Sequence, residues 1–224
     1  MAGSAAYLTM LLADGRLPSG AHTQSAGVEP AFNARMRLAD VPAYLTVRLR
    51  TVTEVEAGVA VLAWLAWLSH PDRRLAALGE LDDAWRARTV SDALREASDL
   101  LGRSYLRMAG AVWDLGPLAA VGRTWCRAVV VGATAAAAGL DGPETARLVA
   151  FDDVQTVLAA ALKLVPFDPT RSVTWAVGAR PEVEQLVLRV ADLTHLTDLP
   201  ASSAPLLEQW GQQHRDTERR LFRA

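Results

Sequence analysis

Few residues in this 224-residue chain have types and spacings suited to chemistry. Asp192, His195 and Asp198 stand three apart, which on a helix would stack them on one face as metal ligands require. His214 and Glu218 stand four apart, with the same consequence. The third and fourth ligands of a closed site are not visible beside either group. His195 sits near a helix end before Pro200, where polar residues cap, and His214 shares a stripe with Leu207, Trp210 and Leu221, the setting of an interface histidine. Asp152 and Asp153 are neighbours in sequence, so on a helix they do not face each other for acid–base work. Ser19 lacks the preceding strand of a nucleophile elbow. Phosphate-loop, H-E-x-x-H and E-x-x-H patterns are all missing. No catalytic constellation, metal site or tightly bound cofactor is expected.

Three other stretches depart from plain amphipathic helix. The first, LPSGAHTQSAGVE at 17–29, contains Pro18, Gly20, His22, Ser25 and Gly27. Gly27 is expected inside a helix, where it costs about 1 kcal/mol relative to alanine and allows a close approach. The second, ALKLVP at 161–166, holds Lys163, the only lysine in a chain whose other 22 basic residues are arginine. Lys163 lies on the stripe of Asp152, Thr156 and Ala159, opposite the apolar Val154, Leu158, Ala161 and Val165. It therefore projects into solvent near a helix C-terminus, where positive charge is favoured by about 0.3–1 kcal/mol. The third stretch ends the chain, with four arginines within nine residues, 215–223, around Leu221 and Phe222. Such an end is a partner hook or a frayed tail.

The elements that must position these stretches read almost entirely as helix, since alanine, leucine, arginine and glutamate dominate and period-two alternation is nearly absent. Helices are expected at about 4–13, 22–36, 42–51, 53–69, 72–87, 91–112, 119–138, 142–165, 169–178, 181–194 and 204–221. Asp40 is an N-cap candidate with Pro42 in the first turn, and Asp141, Pro143 and Glu144 form a capping-box signature. The expected fold is a single all-α domain over 1–224, a bundle of about ten helices with a C-terminal partner-binding tail at 214–224.

Composition narrows the class further. A net charge of −2 gives no electrostatic footprint for nucleic acid, and one cysteine, Cys126, cannot staple a fold and suits a reducing compartment. No signal-peptide pattern opens the chain, and its longest apolar runs fall short of a bilayer span, so a cytoplasmic protein with no membrane contact is expected.

In this order the three stretches resemble the urease accessory protein F family. Its L-P-V-G-G-F-S-Y-S-Q-G-L-E motif is matched at Leu17, Pro18, Gly20, Ser25, Gly27 and Glu29. Its A-x-[KR]-L-V-P-L-G-Q-T motif is matched through Pro166 and at Thr170, and its C-terminal pattern at Ser203, Ala204, Pro205, Leu207, His214, Arg220, Leu221, Phe222 and Arg223. LREASDLLGRSYLRM is similar to the family's middle helix. The chain departs from the family at His22 and Gln24, which replace two aromatics, at Asp168-Pro169, and in the middle of the tail motif.

The resemblance implies a non-enzymatic all-α homodimer. With accessory protein D (also called H), it would recruit and control the nickel-carrying GTPase, accessory protein G, on apo-urease, so that nickel is handled by the complex. It further implies that Glu29 and Lys163 lie on the surface facing the GTPase, that Gly20 and Gly27 shape the first motif, and that His214, Arg220, Leu221, Phe222 and Arg223 engage accessory protein D. A helical transcription regulator would need a basic helix-turn-helix that residues 1–50 lack, and an all-α enzyme would need a clustered polar site. A related interaction module without a urease role remains the other reading.

Overall fold

The structure, a computed structural model, describes residues 2–215, 221 and 222. Eleven α-helices follow one another among them: α1 (Ala2–Leu12), α2 (Val28–Asn33), α3 (Val41–Leu49), α4 (Val52–Leu68), α5 (Pro71–Arg88), α6 (Asp92–Gly110), α7 (Gly116–Ala120), α8 (Arg127–Ala137), α9 (Gly142–Leu164), α10 (Pro169–Val190) and α11 (Pro205–Arg215). Single 3-10 turns occur at Ala21–Thr23, Leu38–Asp40 and Leu196–Asp198, and the described residues contain no strand. The all-α expectation holds.

The centre of the bundle is α4, which packs on α8, α9 and α5. It is apolar all round because it is surrounded: Val55, Val59, Val61, Leu62 and Trp67 are all buried. The stretch Leu38–Leu68 is long and apolar enough, by length and composition, to cross a membrane, although the expectation was that no run would be. Its most apolar window is 61% buried within the protein, so the core takes up that surface. α8 is built almost wholly of Val, Ala and Gly and lies closely against α4. A Cβ added at Gly132 would sit 2.1 Å from the carbonyl oxygen of Ala60. Only glycine permits that helix spacing.

The start of α9 is fixed as its signature predicts. Asp141 accepts from the Glu144 amide at 2.7 Å, and Glu144 accepts from the Asp141 amide at 2.9 Å. Asp40 differs, because its carboxylate turns back to Arg37 and leaves the start of α3 uncapped by a side chain.

Three helix expectations are corrected. The segment 22–36 is a 3-10 turn followed by the short α2, because Ala26 and Gly27 take φ of +50° and +78° and break the run. The segment 119–138 is two helices, α7 and α8, since the chain between them is pulled onto α5. There buried Asp82 accepts from the Cys126 amide at 2.7 Å and from Arg86 and Arg123 at 2.8 Å each. Burial raises the Asp82 carboxyl, and these donors more than offset it, leaving it below its ordinary value. Conversely, 169–178 and 181–194 are one helix, α10, running through Pro181. Pro181 has no amide proton to give the Val177 carbonyl, and Val177 is an exposed residue, the side of a helix on which a missing bond costs least.

Candidate functional site

The first motif, the end of α9 and the end of the chain meet at one place. At Ala26 and Gly27 the backbone turns left-handed, and the Ala26 carbonyl accepts from Tyr44 Oη at 2.7 Å and Arg48 Nη1 at 2.9 Å. A left-handed alanine is costly, and these two donors hold it in place. The close approach expected at Gly27 is real, but Tyr44 makes it, since an added Cβ would lie 2.7 Å from that hydroxyl. Gly27 therefore precedes a helix rather than interrupting one. Gly20 is also left-handed, Ser25 is buried and His22 is exposed.

The turn delivers Glu29 into the interior. Its carboxylate accepts from the Leu221 amide at 2.7 Å and the Phe222 amide at 2.8 Å. His214 is 1% exposed, and its Nε2 lies 3.1 Å from the Phe222 carbonyl and 3.3 Å from Glu29 Oε2. Both neighbours accept, so Nε2 carries a proton. Phe222 is buried, and Lys163 Nζ stands 5.4 Å from its ring centroid.

Glu29 is thus not on an open surface, as the resemblance implied, but beneath the tail. His214 and Phe222 are engaged within the chain, while Leu221 is exposed. Lys163 is exposed as expected, yet it covers an aromatic of its own chain. Arg220 and Arg223 lie outside the described residues, as does Glu218.

The tail reaches this position through α11, which packs chiefly on α6 and α2. Glu208 accepts from the Ser91 amide at 2.6 Å, and Gln212 Oε1 accepts from the Ser91 hydroxyl at 3.1 Å. Beneath α11 is a cavity of about 130 Å³ that reaches Gln24, Trp85, Leu101 and Glu208. Its inner wall is ionic. Arg48 pairs with Asp153 at 2.6 Å, and Arg127 bridges Glu56, at 2.9 Å, and Asp152. Asp152 and Asp153 thus point at different arginines, as their adjacency requires. Burial raises the Asp153 carboxyl and Arg48 with Thr53 outweighs it, so its net shift is downward. At Glu56 burial wins and the carboxyl is raised. Among the described residues no group of three or more His, Cys, Asp or Glu is arranged to hold a metal ion.

Sequence reasoning missed Tyr44 and Arg48, which hold the first motif, and Glu208 and Gln212, which clamp α11. Arg48 and Asp153 are 105 positions apart, and nothing in either segment marks the pairing.

This assembly of distant segments coincides with known relationships. Residues 37–177 match the family model UreF. The urease accessory protein UreF of Mycolicibacterium vanbaalenii is 37% identical over 218 residues, covering 95% of this chain and 96% of that protein. The chain belongs to the UreF family. Proteins of the same name from Mycobacterium marinum and Mycobacterium tuberculosis are 33% and 32% identical, over 96% and 95% of this chain and 97% and 96% of their own lengths. The family model begins after the first motif and ends before the tail.

Proposed function

We propose that this UreF-family chain is a urease maturation factor without enzymatic activity of its own. It acts as an adaptor in the cytoplasm, as a homodimer that binds accessory protein D and with it recruits and controls the nickel-carrying GTPase on apo-urease. Nickel is cargo of the complex. The observation that supports this most is the convergence of Glu29, Lys163, His214 and Phe222 on one spot, although up to 193 positions separate them. An enzyme would place reacting groups around a substrate space. Here the polar atoms of Glu29 and His214 are directed at the chain's own tail, so they seat a chain segment and leave no substrate space between them. In this reading the tail residues, with Arg220 and Arg223, engage accessory protein D, Lys163 serves the GTPase side, and Glu29 seats the tail beside it.

Co-expression of a tagged chain with accessory protein D and the GTPase, with and without GTP and nickel, tests the reading. Recovery of a three-component complex that is lost on deleting residues 214–224 is expected. Failure to recover accessory protein D with all components soluble would overturn it.

A further inference from the structure

The cavity beneath α11 joins a charged floor to apolar walls, and its polar groups do not satisfy one another. The floor sets Arg48 and Arg127 against Glu56, Asp152 and Asp153, two positive charges against three negative. The other charged residues at the cavity, Arg88 and Glu208, cancel. Both oxygens of Asp153 are occupied, by Arg48 and Thr53. Arg127, however, meets one oxygen of Glu56 and one of Asp152. Glu56 Oε1 and Asp152 Oδ1 are left without a hydrogen-bond donor among the described residues. Gln24, from the first motif, is 7% exposed and lines the same cavity, and its side-chain amide also has no partner among the described residues.

Buried polar groups are hydrogen-bonded in folded proteins, so these three call for an occupant. Water would serve the oxygens but leave the floor one positive charge short, where an unmatched charge is costly. The raised carboxyl of Glu56 reflects that shortage: burial lifts it most, and Asp153 and Asp152 add to the rise against Arg127 and Arg48. A metal ion finds no group of three or more His, Cys, Asp or Glu among the described residues. The walls include Val55, Trp85, Leu94 and Leu101. Such walls suit a flat, delocalised cation, weakly hydrated and fringed with N–H donors, better than a compact and strongly hydrated one. At about 130 Å³ the space is close to that of cavities that accept a benzene-sized molecule, about six heavy atoms.

We propose that this cavity binds a small guanidinium-type monocation, its N–H groups on Glu56, Asp152 and the Gln24 side-chain carbonyl and its face against the apolar wall. The cation supplies the charge that the floor lacks. Leu207 and Glu208 of α11 also line the cavity, so an occupied site fastens α11 to the first motif and to α9. The site stands independently of the adaptor reading.

The test titrates methylguanidinium into the isotope-labelled full-length chain and follows the Trp85 indole and Gln24 side-chain amide resonances. Saturable shifts are expected, with a dissociation constant of about 1 mM, in range for so small a ligand. N-methylurea has nearly the same shape and N–H donors but no charge, and is expected to bind at least about tenfold more weakly, since it leaves the floor uncompensated. Glu56→Gln removes the unmatched charge and should weaken methylguanidinium binding about tenfold or more. Gln24→Leu, read at the Trp85 indole, keeps the charge and removes one acceptor, so a several-fold loss is expected. Should Glu56→Gln lower the thermal midpoint, Gln24→Leu and the wild-type comparison with N-methylurea decide. No saturable shift in the wild type would mean a cavity that holds water only, and overturns the assignment. Equal affinity for methylguanidinium and N-methylurea overturns it as well, as does an unchanged affinity in either variant.

Discussion

The α4–α8 contact and the α11–tail assembly are held together by opposite means. Between α4 and α8 the helices touch through Gly132, Ala60 and Ala63, with apolar side chains filling what remains. Dispersion and burial hold that contact, and close packing makes it intolerant of added volume. The tail is held by a buried carboxylate, a buried imidazole and backbone amides, with little apolar surface beyond Phe222. Hydrogen bonds of this kind contribute modestly while made and are expensive when one partner is removed. The core is therefore built to be permanent, and the tail can be released as a unit without disturbing it.

The sharpest way to expose the contrast is Gly132→Ala. The new methyl would meet the Ala60 backbone, which cannot swing aside as a side chain can. A global loss of about 3 kcal/mol is expected from overpacking. In a chain of this size that is roughly 6–12 °C in thermal midpoint. A midpoint within 2 °C of wild type, by about the same scale, would mean that α8 slides freely on α4.

Glu29→Ala should behave differently. It strips acceptors from the Leu221 and Phe222 amides and from His214, a local cost of about 2–3 kcal/mol. Hydrogen exchange at Leu221 and Phe222 should rise by one to two orders of magnitude. The global midpoint should move less than in Gly132→Ala, since Glu208 and Gln212 still clamp α11 to Ser91. Equal loss of protection in α4 and the tail would show the two regions to be one cooperative unit.

Acid separates the regions along another axis. Asp82 and Asp153 have folded-state carboxyls below their ordinary values, so the stability they contribute is present above the ordinary carboxylate range near pH 4 and is lost as pH falls through the depressed values. Urea unfolding at pH 7 and at pH 3 should show a lower midpoint at pH 3. Asp153→Asn lowers the midpoint at pH 7 and narrows the difference between the two, since the variant has one such proton fewer to take up. An unchanged difference would remove Asp153 from the acid response.

How much of this was legible depended on the range of the interaction. The start of α9 was readable because Asp141 and Glu144 act across three positions. Gly27 was recognised as a place of close approach, but a helical pattern hid its left-handed turn. Pro181 reads as a break, yet α10 runs through it. The buried state of Glu29 was beyond reach, because its partners lie 192 and 193 positions away and are backbone amides, which have no sequence signature. Lys163 was placed correctly in solvent by its stripe on α9, and its proximity to Phe222 depended on that same unseen path of the tail.

That lysine carries the finest test of the contrast. Against Phe222 it makes an exposed cation–π contact worth about 0.5–1 kcal/mol. Lys163→Ala should therefore speed amide exchange at Leu221 and Phe222 only two- to five-fold, roughly what that energy allows. Lys163→Arg should restore the exchange rate, because a guanidinium lies over an aromatic ring as readily as an ammonium does. GTPase binding provides the second readout. If Lys163 serves only to cover the tail, both variants bind the GTPase in proportion to their tail exchange, and Lys163→Arg is normal in both. If its ammonium meets an acceptor on the GTPase, Lys163→Arg keeps the tail seated yet loses affinity, because a broad planar fork does not fit where a compact charge did. The two measurements on one conservative variant thus separate a contact inside the chain from a contact with its partner.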